Sequence, residues 1–411
     1  MLTGDKLMEL PYEREITLAE AKKRILAEFQ DNAITPHIEN MGLHIITTTC
    51  DIYDQNNNLL SQGVGKGIDG AALTGAFYEA FEHYISTNHQ KFGEMTLCKT
   101  NKLQHTLGGT DFVRDVLQTQ PNTKIACRHY SNITGDISIY YPAAFSTPDY
   151  ADYPLEGDNF DYQVLRRYSS NSGTAIGSSF QEAALHAANE SIEREDLSQF
   201  LINYFYQDNK KALRLVNPDS LQEELHTLWL NAQAEIADHI TVLEISQSSS
   251  CRTFIAFGHK ICQAVHLFGA GTSLSPYYAI SRAITELIQF HSIVTRFPYL
   301  IETQKHSLRR LAQWPKLQRS CKAYLPGLLT DRTLHSVDIP EDSPIAPVID
   351  QLLQVERELN MRGYQLLVNI LYQSTSGCTV VNVLVPGFER FFLINSGNIV
   401  VPWMGYQYQN S

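Results

Sequence analysis

The sequence lacks the features of a secreted, membrane-spanning or nucleic-acid-binding protein. Its 411 residues include 32 lysines and arginines against 44 aspartates and glutamates, which gives a formal net charge of -12. This negative balance opposes the phosphate attraction on which nucleic-acid binding depends. No apolar run approaches the roughly 20 residues of a spanning helix, and residues 1–13 are too polar for a signal peptide. We therefore expect a cytoplasmic protein with no nucleic-acid and no membrane partner.

Cysteine is scarce, and its spacing suggests neither disulfides nor a thiolate metal site. The cysteines are odd in number and widely scattered, and no pair has the two-residue separation of zinc or redox motifs. We expect reduced thiols at all seven positions: Cys50, Cys98, Cys127, Cys251, Cys262, Cys321 and Cys378.

Familiar catalytic and nucleotide-binding motifs are also absent. Lys66 lies in a glycine-rich stretch, but Leu60 and Gly67 stand where a Walker A loop requires a glycine and a Ser or Thr. The chain has no Gly-x-Ser-x-Gly elbow, no His-Glu-x-x-His motif and no dinucleotide fingerprint. The 14 histidines, among them His83 and His186, show no ligand-like clustering. This scatter indicates structural or surface roles for most of them.

The patterns that are present predict an α/β protein. Capping-box spacing at Thr17 and Glu20 opens an amphipathic helix over residues 17–32. Residues 44–53 (HIITTTCDIY) are rich in β-branched side chains and are followed by a polar turn. They therefore predict one arm of a β-hairpin.

No linker or low-complexity tract divides the chain. Residues 341–347 (EDSPIAP) are the best candidate for a surface connection, and a helix over residues 348–361 follows them. Two apolar, strand-like runs come next, at residues 364–372 and 379–385. We therefore predict a single domain over residues 1–411, in which residues 348–411 belong to the same body.

One pattern occurs three times along the chain. A glycine-rich stretch precedes an alanine-rich helix with acidic residues at helical spacing, in residues 63–82, 173–193 and 269–286. The acids follow the last glycine of each stretch at similar distances. The pattern predicts repeated strand, loop and helix units, and chance similarity among alanine- and glutamate-rich helices is the alternative.

The acids of these helices admit two interpretations. Singly, they are explained by solvated helix faces, a capping box and a surface salt bridge, namely Glu79 with Glu82, Glu190 with Glu193, Ser179 with Glu182, and Arg282 with Glu286. Together they favour a common cause, because Mg²⁺ prefers oxygen ligands and is typically held by one or two carboxylates plus substrate phosphates. Backbone amides of the glycine-rich stretches and the basic side chains of Lys66, Arg194 and Arg282 would then meet the phosphates.

The three motifs resemble those of the YcaO family. They read GKGIDGAALTGAFYEAFEHY at residues 65–84, SSNSGTAIGSSFQEAALHAANESIERED at residues 169–196, and GAGTSLSPYYAISRAITELIQF at residues 269–290. They stand in the family's order, and VLVPGFERF at residues 383–391 resembles its C-terminal Pro-Gly segment. The resemblance implies an α/β, YcaO-type ATP-binding fold with repeated strand-loop-helix units and mixed sheets.

The resemblance also implies a set of site residues, although it assigns no catalytic residue. The metal-associated acids would be Glu79, Glu82, Glu190, Glu193 and Glu286. The ATP-binding residues would be Lys66, Ser178, Glu182, Arg194, Ala279, Arg282 and Gln289. The chain departs from the family at His83, where the first motif often has Arg, and at Ser178, where the second often has Asn. These departures bear on the individual phosphate and nucleoside contacts.

For the activity, the resemblance implies ATP-dependent phosphorylation of an amide oxygen in a ribosomally made precursor peptide. A neighbouring Cys, Ser or Thr as nucleophile gives a thiazoline or oxazoline, delivered sulfide gives a thioamide, and an amine gives an amidine. We place the cyclodehydratase first, although Pro402 alone stands near the end where azoline-forming members often have a proline-rich tail. Thioamide or amidine formation is second, and a non-catalytic scaffold is an alternative of another class.

Partners are also implied by the resemblance. The chain shows no fused leader-binding or E1-like domain ahead of the motifs. A separate partner protein would therefore recruit the precursor peptide. An FMN dehydrogenase would accompany azole formation.

Overall fold

The computed structural model describes residues 10–68, 70–88, 91–103, 111–247, 250–260, 267–341 and 346–403. Cys262 and residues 342–345 of the predicted surface connection lie outside the described residues. The described part contains β-sheets with helices packed on them, which is the α/β architecture that the sequence predicted.

Strands and helices are interspersed along the described part of the chain. The strands are β1 (Thr35–Met41), β2 (Ile46–Tyr53), β3 (Leu59–Gly67), β4 (Thr96–Lys99), β5 (Lys124–Ser131), β6 (Ser138–Pro142), β7 (Thr174–Gly177), β8 (Leu213–Val216), β9 (Ile240–Glu244), β10 (Arg252–Gly258), β11 (Phe268–Ser273), β12 (Leu334–Val337), β13 (Leu367–Gln373) and β14 (Thr379–Leu384). The α-helices are α1 (Leu18–Asp31), α2 (Gly70–Thr87), α3 (Thr100–Leu103), α4 (Phe112–Gln118), α5 (Phe180–Leu201), α6 (Glu223–Ile236), α7 (Pro276–Arg296), α8 (Tyr299–Arg310), α9 (Pro315–Lys322), α10 (Leu325–Asp331) and α11 (Val348–Met361).

Three sheets organise these strands. The first is antiparallel, in the order β1-β2-β3. The second has the order β4-β5-β13-β14-β7, with β6 paired to β5, and the third has the order β11-β10-β9-β8-β12. Strands β8 and β12 run parallel while the other pairs of the third sheet are antiparallel. The predicted mixed sheets are therefore confirmed.

Local sequence patterns located several elements correctly. Thr17 caps α1, and its hydroxyl accepts a hydrogen bond from the backbone N–H of Glu20 at 3.3 Å. Strand β2 pairs with β3 across the predicted hairpin. Helix α11 has the predicted bounds, and the two strand-like runs after it form β13 and β14. Because β14 pairs with β7, this C-terminal hairpin shares a sheet with the strand of the second motif.

In each of the three glycine-rich stretches, a strand packs closely against the helix that follows it. The pairs are β3 with α2, β7 with α5 and β11 with α7. A Cβ atom on Gly65 would lie 1.8 Å from the carbonyl oxygen of Ala72. One on Gly271 would lie 2.1 Å from the carbonyl oxygen of Ala279, and Gly177 meets the backbone of α5 in the same way. No side chain fits at such distances, so only glycine permits this approach. Packing accounts for these glycines, and contacts of their backbone amides with phosphates stay a prediction.

The helices bury their apolar faces in separate core clusters. Phe77 and Phe81 of α2 pack with Phe29 of α1, and Ile280 and Ile284 of α7 lie fully buried over the third sheet. The acidic side chains of α2 and α7 stand beside these buried faces. Among the described helices, none combines the length and the apolar character that crossing a bilayer requires.

Replacing Gly65 with alanine tests the strand-helix packing. The new methyl group would meet the α2 backbone, so β3 and α2 must separate, and we expect Gly65→Ala to lose about 3 kcal/mol of the free energy of unfolding. In Gly75→Ala, the matched control, a Cβ atom meets nothing closer than the Cα of Gly65 at 3.6 Å. That variant should keep or raise the melting temperature, because alanine favours a helix. Thermal melting followed by circular dichroism compares the two, and a wild-type melting temperature for Gly65→Ala would contradict the packing argument.

Candidate active site

Five carboxylates from three helices form a ring of electrostatic neighbours, which we call the acid ring. Helix α2 contributes Glu79 and Glu82, α5 contributes Glu190 and Glu193, and α7 contributes Glu286. Around the ring, each carboxylate influences the ionisation of the next, from Glu79 through Glu82, Glu190, Glu193 and Glu286 back to Glu79. The structure thus brings together the acids that the sequence assigned to magnesium.

Burial and mutual repulsion make several of these carboxylates hard to ionise. Burial raises the pKa of Glu82 well above its usual range, and the charges of Glu190 and Glu79 raise it further. Burial also raises the pKa of Glu193 to about 7, to which Glu286 contributes. The pKa of Glu79 is raised in the same direction, first by burial. A cation bound among these carboxylates would favour their ionised form.

Two cationic side chains pair directly with the ring. The Nζ atom of Lys66, on β3, lies 3.0 Å from Oε2 of Glu286. Arg194 lies 3.2 Å from a carboxylate oxygen of Glu193 and 3.7 Å from one of Glu190. Although burial alone would raise the pKa of Glu286, the charges of Lys66 and Arg194 lower it. The cations thus stabilise one part of the ring more than the rest.

In the described part of the chain, the expected surface salt bridge between Arg282 and Glu286 is not formed. Glu286 pairs instead with Lys66, a residue 220 positions away. Arg282 donates a hydrogen bond from Nη1 to Nδ1 of His186 on α5, at 3.2 Å. Arg282 and Glu286 lie one turn apart on α7 but do not pair, because His186 on α5 and Lys66 on β3 are closer partners. Both residues belong to a tertiary network rather than to a solvated helix surface.

His186 belongs to this network, whereas its lack of clustering had suggested a structural or surface role. Burial, reinforced by the charges of Arg282 and Arg14, holds the pKa of His186 well below its usual range and keeps the imidazole neutral. Because arginine can only donate, Nδ1 accepts and the ring hydrogen stands on Nε2. Helical spacing was the available signal, since His186 lies four residues after Glu182 and four before Glu190 on α5.

Two predicted ATP-binding residues lie at the start of α5. The carboxylate of Glu182 accepts from the backbone N–H groups of Ser178 at 2.9 Å and Glu15 at 2.5 Å. The hydroxyl of Ser179 accepts from the N–H of Glu182 at 3.2 Å, so the predicted N-terminal cap of α5 is present. The Oγ atom of Ser178 lies 3.0 Å from the hydroxyl of Tyr78. These contacts order the entrance of α5, and roles in nucleotide binding stay predictions.

The remaining two predicted ATP-binding residues lie on α7. Gln289 donates from Nε2 to the carbonyl oxygen of Val64 at 3.1 Å and so ties α7 to β3 two residues before Lys66. Ala279 is fully buried in the core beside Gly271. The structure therefore does not bring the side chain of Ala279 to the acid ring.

His83, where the family often has Arg, lies at the edge of the ring. Its Nδ1 atom is 2.6 Å from the carbonyl oxygen of Gln62, and its Nε2 atom is 4.0 Å from a carboxylate oxygen of Glu79. An imidazole carries a pH-dependent charge, whereas an arginine is always charged. This departure weakens the positive charge next to Glu79.

Glu13 is a buried acid beside the site that the sequence analysis missed. Its side chain is almost fully buried, and Oε1 accepts from Nδ2 of Asn189 at 2.9 Å and from Oγ of Ser273 at 2.6 Å. Burial raises the pKa of Glu13, and the charge of Arg282 opposes this shift. These partners lie 176 and 260 positions away in sequence. No local pattern records a contact over such separations.

A cavity of about 30 Å³ lies beside Arg194 and reaches the C-terminal Pro-Gly segment, with Glu389, Arg390 and Trp403 in its wall. Burial raises the pKa of Glu389 to about 8. Arg390 donates to backbone carbonyl oxygens, so its guanidinium is fixed in place. The predicted Pro-Gly segment therefore lies next to one of the cations of the site.

The acid ring fits a divalent cation that is shared with a phosphate ligand. Among the described residues, no three His, Cys, Asp or Glu side chains form a ready-made metal cluster. Mg²⁺ is commonly held by only one or two carboxylates, with substrate phosphates completing its shell. The raised pKa values of Glu82 and Glu193 mark buried carboxylates whose ionised form a dication would stabilise. The side chains present therefore suit magnesium bound together with a nucleotide.

Comparison with protein families agrees with this chemistry. A family model described as YcaO cyclodehydratase, ATP- and Mg²⁺-binding, matches residues 64–389. The chain belongs to the YcaO family. The prediction of ATP and magnesium as ligands and that of an ATP-dependent enzyme are confirmed at the level of the family.

YcaO proteins of known structure share the fold. The YcaO from Methanopyrus kandleri bound with AMPPCP and Mg²⁺ is 16% identical, with a TM-score of 0.67 over 96% of this chain and 98% of that one. A heterocyclase in complex with substrate and cofactor is 18% identical, with a TM-score of 0.66 over 93% of this chain and 55% of that one. The E. coli microcin synthetase McbBCD complex with pro-MccB17 bound contains a chain 15% identical, with a TM-score of 0.56 over 87% and 88%. An uncharacterized protein of Methanothermobacter thermautotrophicus is 23% identical over 366 residues, 86% of this chain and 88% of that protein.

Magnesium should stabilise this YcaO protein more at about pH 8 than at about pH 5. The pKa of Glu193 is raised from 4.5 to about 7, so the folded state binds its proton more tightly than the unfolded chain does. Stability contributed by this group is therefore present at low pH and is lost as the pH rises from about 5 to about 7. Magnesium offsets the cost of burying a charged Glu193 carboxylate only when that carboxylate is ionised. Melting temperatures with and without MgCl₂ and ATP at the two pH values measure the effect.

Two variants separate Glu193 from other titrating groups. In Glu193→Gln no carboxylate titrates at this position, so the stabilisation by magnesium should depend less on pH. Glu302→Gln alters an exposed acid of α8 that pairs with Lys305 at 2.8 Å, and it should behave like the wild type. An equal gain from magnesium at both pH values in the wild type would contradict the assignment.

Proposed function

We propose that this protein is an ATP- and magnesium-dependent cyclodehydratase component. It would phosphorylate a backbone amide of a ribosomally made precursor peptide and form thiazoline or oxazoline rings. The observation that carries the proposal is the acid ring with Lys66 and Arg194 paired to it and Arg282 beside it. Membership of the YcaO family supports both the nucleotide and the class of reaction.

The acid ring would hold magnesium through some of its five carboxylates together with the phosphates of ATP. Magnesium, when bound, supplies charge that neutralises the phosphates during transfer. The ring spans helices α2, α5 and α7, so a nucleotide bound to it would contact all three repeated units.

The cations would bind and orient the phosphates. The guanidinium groups of Arg194 and Arg282 match pairs of phosphate oxygens, and Lys66 supplies a point charge. Lys66 and Arg194 are held by carboxylates of the ring, and Arg282 is held by His186. Because these groups are oriented before substrate binds, little ordering remains to be done in the transition state. Positioning and charge stabilisation are the main contributions that phosphoryl transfer requires of a protein.

The proposed reaction transfers the amide oxygen to phosphate. The thiol or hydroxyl of a neighbouring Cys, Ser or Thr adds to the carbonyl carbon and loses its proton. This addition makes the C–S or C–O bond that closes the ring. The oxygen of the adduct then takes the γ-phosphoryl group of ATP and leaves as phosphate, while the amide nitrogen loses its proton and a C=N bond forms within the ring. ATP becomes ADP, and the peptide has lost one water.

We also propose a separate protein that recruits the precursor peptide and an FMN dehydrogenase for azole formation, all in the cytoplasm. One structure with a similar fold is the McbBCD complex with pro-MccB17 bound, and another is a heterocyclase with substrate and cofactor. These similar structures support a peptide substrate and a multi-protein assembly.

Glu286→Gln should reduce ATP turnover at least about a hundredfold, a change of about 3 kcal/mol in the activation barrier. The amide keeps the size of the side chain but loses the charge that pairs with Lys66 and would attract magnesium. Phosphate release in the presence of peptide and recruiting partner measures turnover, and Glu302→Gln is the control with an exposed acid. Circular dichroism and melting establish that the fold is intact. Turnover near that of the wild type would remove Glu286 from the metal site.

Heavy oxygen in the substrate amide tests the reaction itself. With peptide, ATP and recruiting partner, the released phosphate should carry the labelled oxygen, because the amide oxygen leaves as phosphate. Hydrolysis of ATP by water would place solvent oxygen there instead. Mass spectrometry of both phosphate and peptide makes the measurement.

The mass of the peptide separates the alternatives. Ring closure lowers the mass of the peptide by one water. A gain of mass that depends on added sulfide would favour thioamide formation. A gain of mass that depends on an added amine would favour amidine formation. Unlabelled phosphate with an unchanged peptide would contradict amide activation.

A further inference from the structure

Glu13 joins the described residues before α1, which we call the N-terminal segment, to two of the repeated units. Its Oε1 atom accepts from Asn189 on α5 and from Ser273 at the end of β11. The backbone of Glu13 is left-handed, with φ 57°, a conformation that is uncommon for a residue with a side chain. The fold therefore holds a buried carboxylate at a place where the local backbone does not favour it.

Glu13 and Arg282 each have a buried polar atom without a hydrogen-bond partner in the described part of the chain. These atoms are Oε2 of Glu13 and Nε of Arg282. Both groups bind to α5, where Asn189 donates to Glu13 and His186, three residues earlier, accepts from Arg282. The charge of Arg282 also opposes the raised pKa of Glu13. Burial alone would lower the pKa of Arg282, but the charges around it, Glu13 among them, raise it. Unpartnered buried polar groups are rare and call for an explanation.

The guanidinium of Arg282 is attracted both by Glu13 and by carboxylates of the acid ring. His186 accepts from Nη1 of Arg282, and the ring of Tyr278 lies 5.9 Å from its guanidinium carbon. The carboxylates that influence Arg282 are Glu193, Glu13 and Glu286. Two of these belong to the acid ring, whereas Glu13 stands outside it. Without Glu13, Glu193 and Glu286 of the acid ring would still act on the guanidinium.

The residue before Glu13 fixes the segment against α7. The ring of Tyr12 stacks on that of Tyr278, with centroids 5.1 Å apart and an interplanar angle of 7°, and on that of Tyr277 at 5.7 Å. Stacked pairs of this kind stabilise the packing beyond the area they bury. The same Tyr278 flanks Arg282. The segment is thereby aligned with the first turn of α7.

We propose that Glu13 is a positioning residue that draws Arg282 away from the acid ring and orients its guanidinium for the phosphates of ATP. This role rests on the proposed function, in which Arg282 binds phosphate. It assigns to the N-terminal segment a part in the nucleotide site that lies outside the three motifs. A simple charge effect predicts the opposite sign, because removing a negative charge near a phosphate site should tighten phosphate binding.

Glu13→Gln separates the two effects. Glutamine keeps an oxygen that can accept from Asn189 and Ser273 but has no charge for Arg282. We expect the dissociation constant for ATP in MgCl₂, measured by isothermal titration calorimetry at about pH 8, to rise about tenfold, because Arg282 then turns to the ring carboxylates and competes with magnesium. Unchanged or tighter binding would overturn the proposal.

A double-mutant cycle distinguishes positioning from a structural role. In an Arg282→Lys background, Glu13→Gln should weaken ATP binding by less than about twofold, since the group that Glu13 positions is already altered. An undiminished tenfold loss in that background would mean that Glu13 acts independently of Arg282 and would overturn the proposal. Glu13→Asp keeps the charge, and it should stay within about threefold of the wild type even if Glu13→Gln folds poorly. A larger loss in a folded Glu13→Asp would count against the proposal.

Glu28→Gln is the matched control. Glu28 is equally buried and accepts hydrogen bonds from Tyr372 at 2.8 Å and Ser376 at 2.5 Å, but its partners lie outside the acid ring. It should bind ATP like the wild type, and a tenfold loss there would show that any buried glutamate has this effect. A wild type that fails to bind ATP in a magnesium-dependent way would overturn the proposed function and this role with it. Normal wild-type binding with an unaffected Glu13→Gln would overturn the role of Glu13 alone.

Discussion

The architecture depends on the close approach of three strands to the helices that follow them. Gly65 and Gly271 allow β3 and β11 to lie on α2 and α7 at distances that exclude any side chain. This contact sets both the distance and the rotation of each helix relative to its strand. The repeated order of glycines, alanines and acids then acquires a physical meaning. The small residues form the contact, and the acids stand at a fixed angle from it, so three separate helices present carboxylates to one place.

The same packing brings the buried carboxylates of the acid ring together, which is electrostatically unfavourable. Burial raises the pKa values of Glu82 and Glu193, and repulsion between carboxylates raises them further, at Glu193 even though Arg194 opposes the shift. The pKa of Glu286 is lowered instead, because Lys66 and Arg194 lie near it. Such an arrangement costs folding stability in the absence of ligand. It is the distribution of charge expected of a site whose ligands bring cations with them.

Sequence patterns were sufficient where interactions are local. The cap of α1 at Thr17, the bounds of α11 and the spacing of the ring acids could all be read from neighbouring residues. They were insufficient where partners are distant. The pairing of Glu286 with Lys66 rather than Arg282 depends on the position of β3, and the contacts of Glu13 depend on both α5 and β11. His186 lies between these cases, because its spacing from Glu182 and Glu190 was visible but its contact with Arg282 was not.

The pair formed by Lys66 and Glu286 has a consequence for the order in which ligands are accepted. Its two atoms lie 3.0 Å apart, so Lys66 acts as a resident counter-ion for the carboxylate. A metal ion that binds Glu286 weakens the hold of the carboxylate on Lys66 and frees the ammonium group for a phosphate. Conversely, a phosphate that attracts Lys66 leaves Glu286 a better metal ligand. By thermodynamic reciprocity, metal and nucleotide would then favour each other's binding to the same degree.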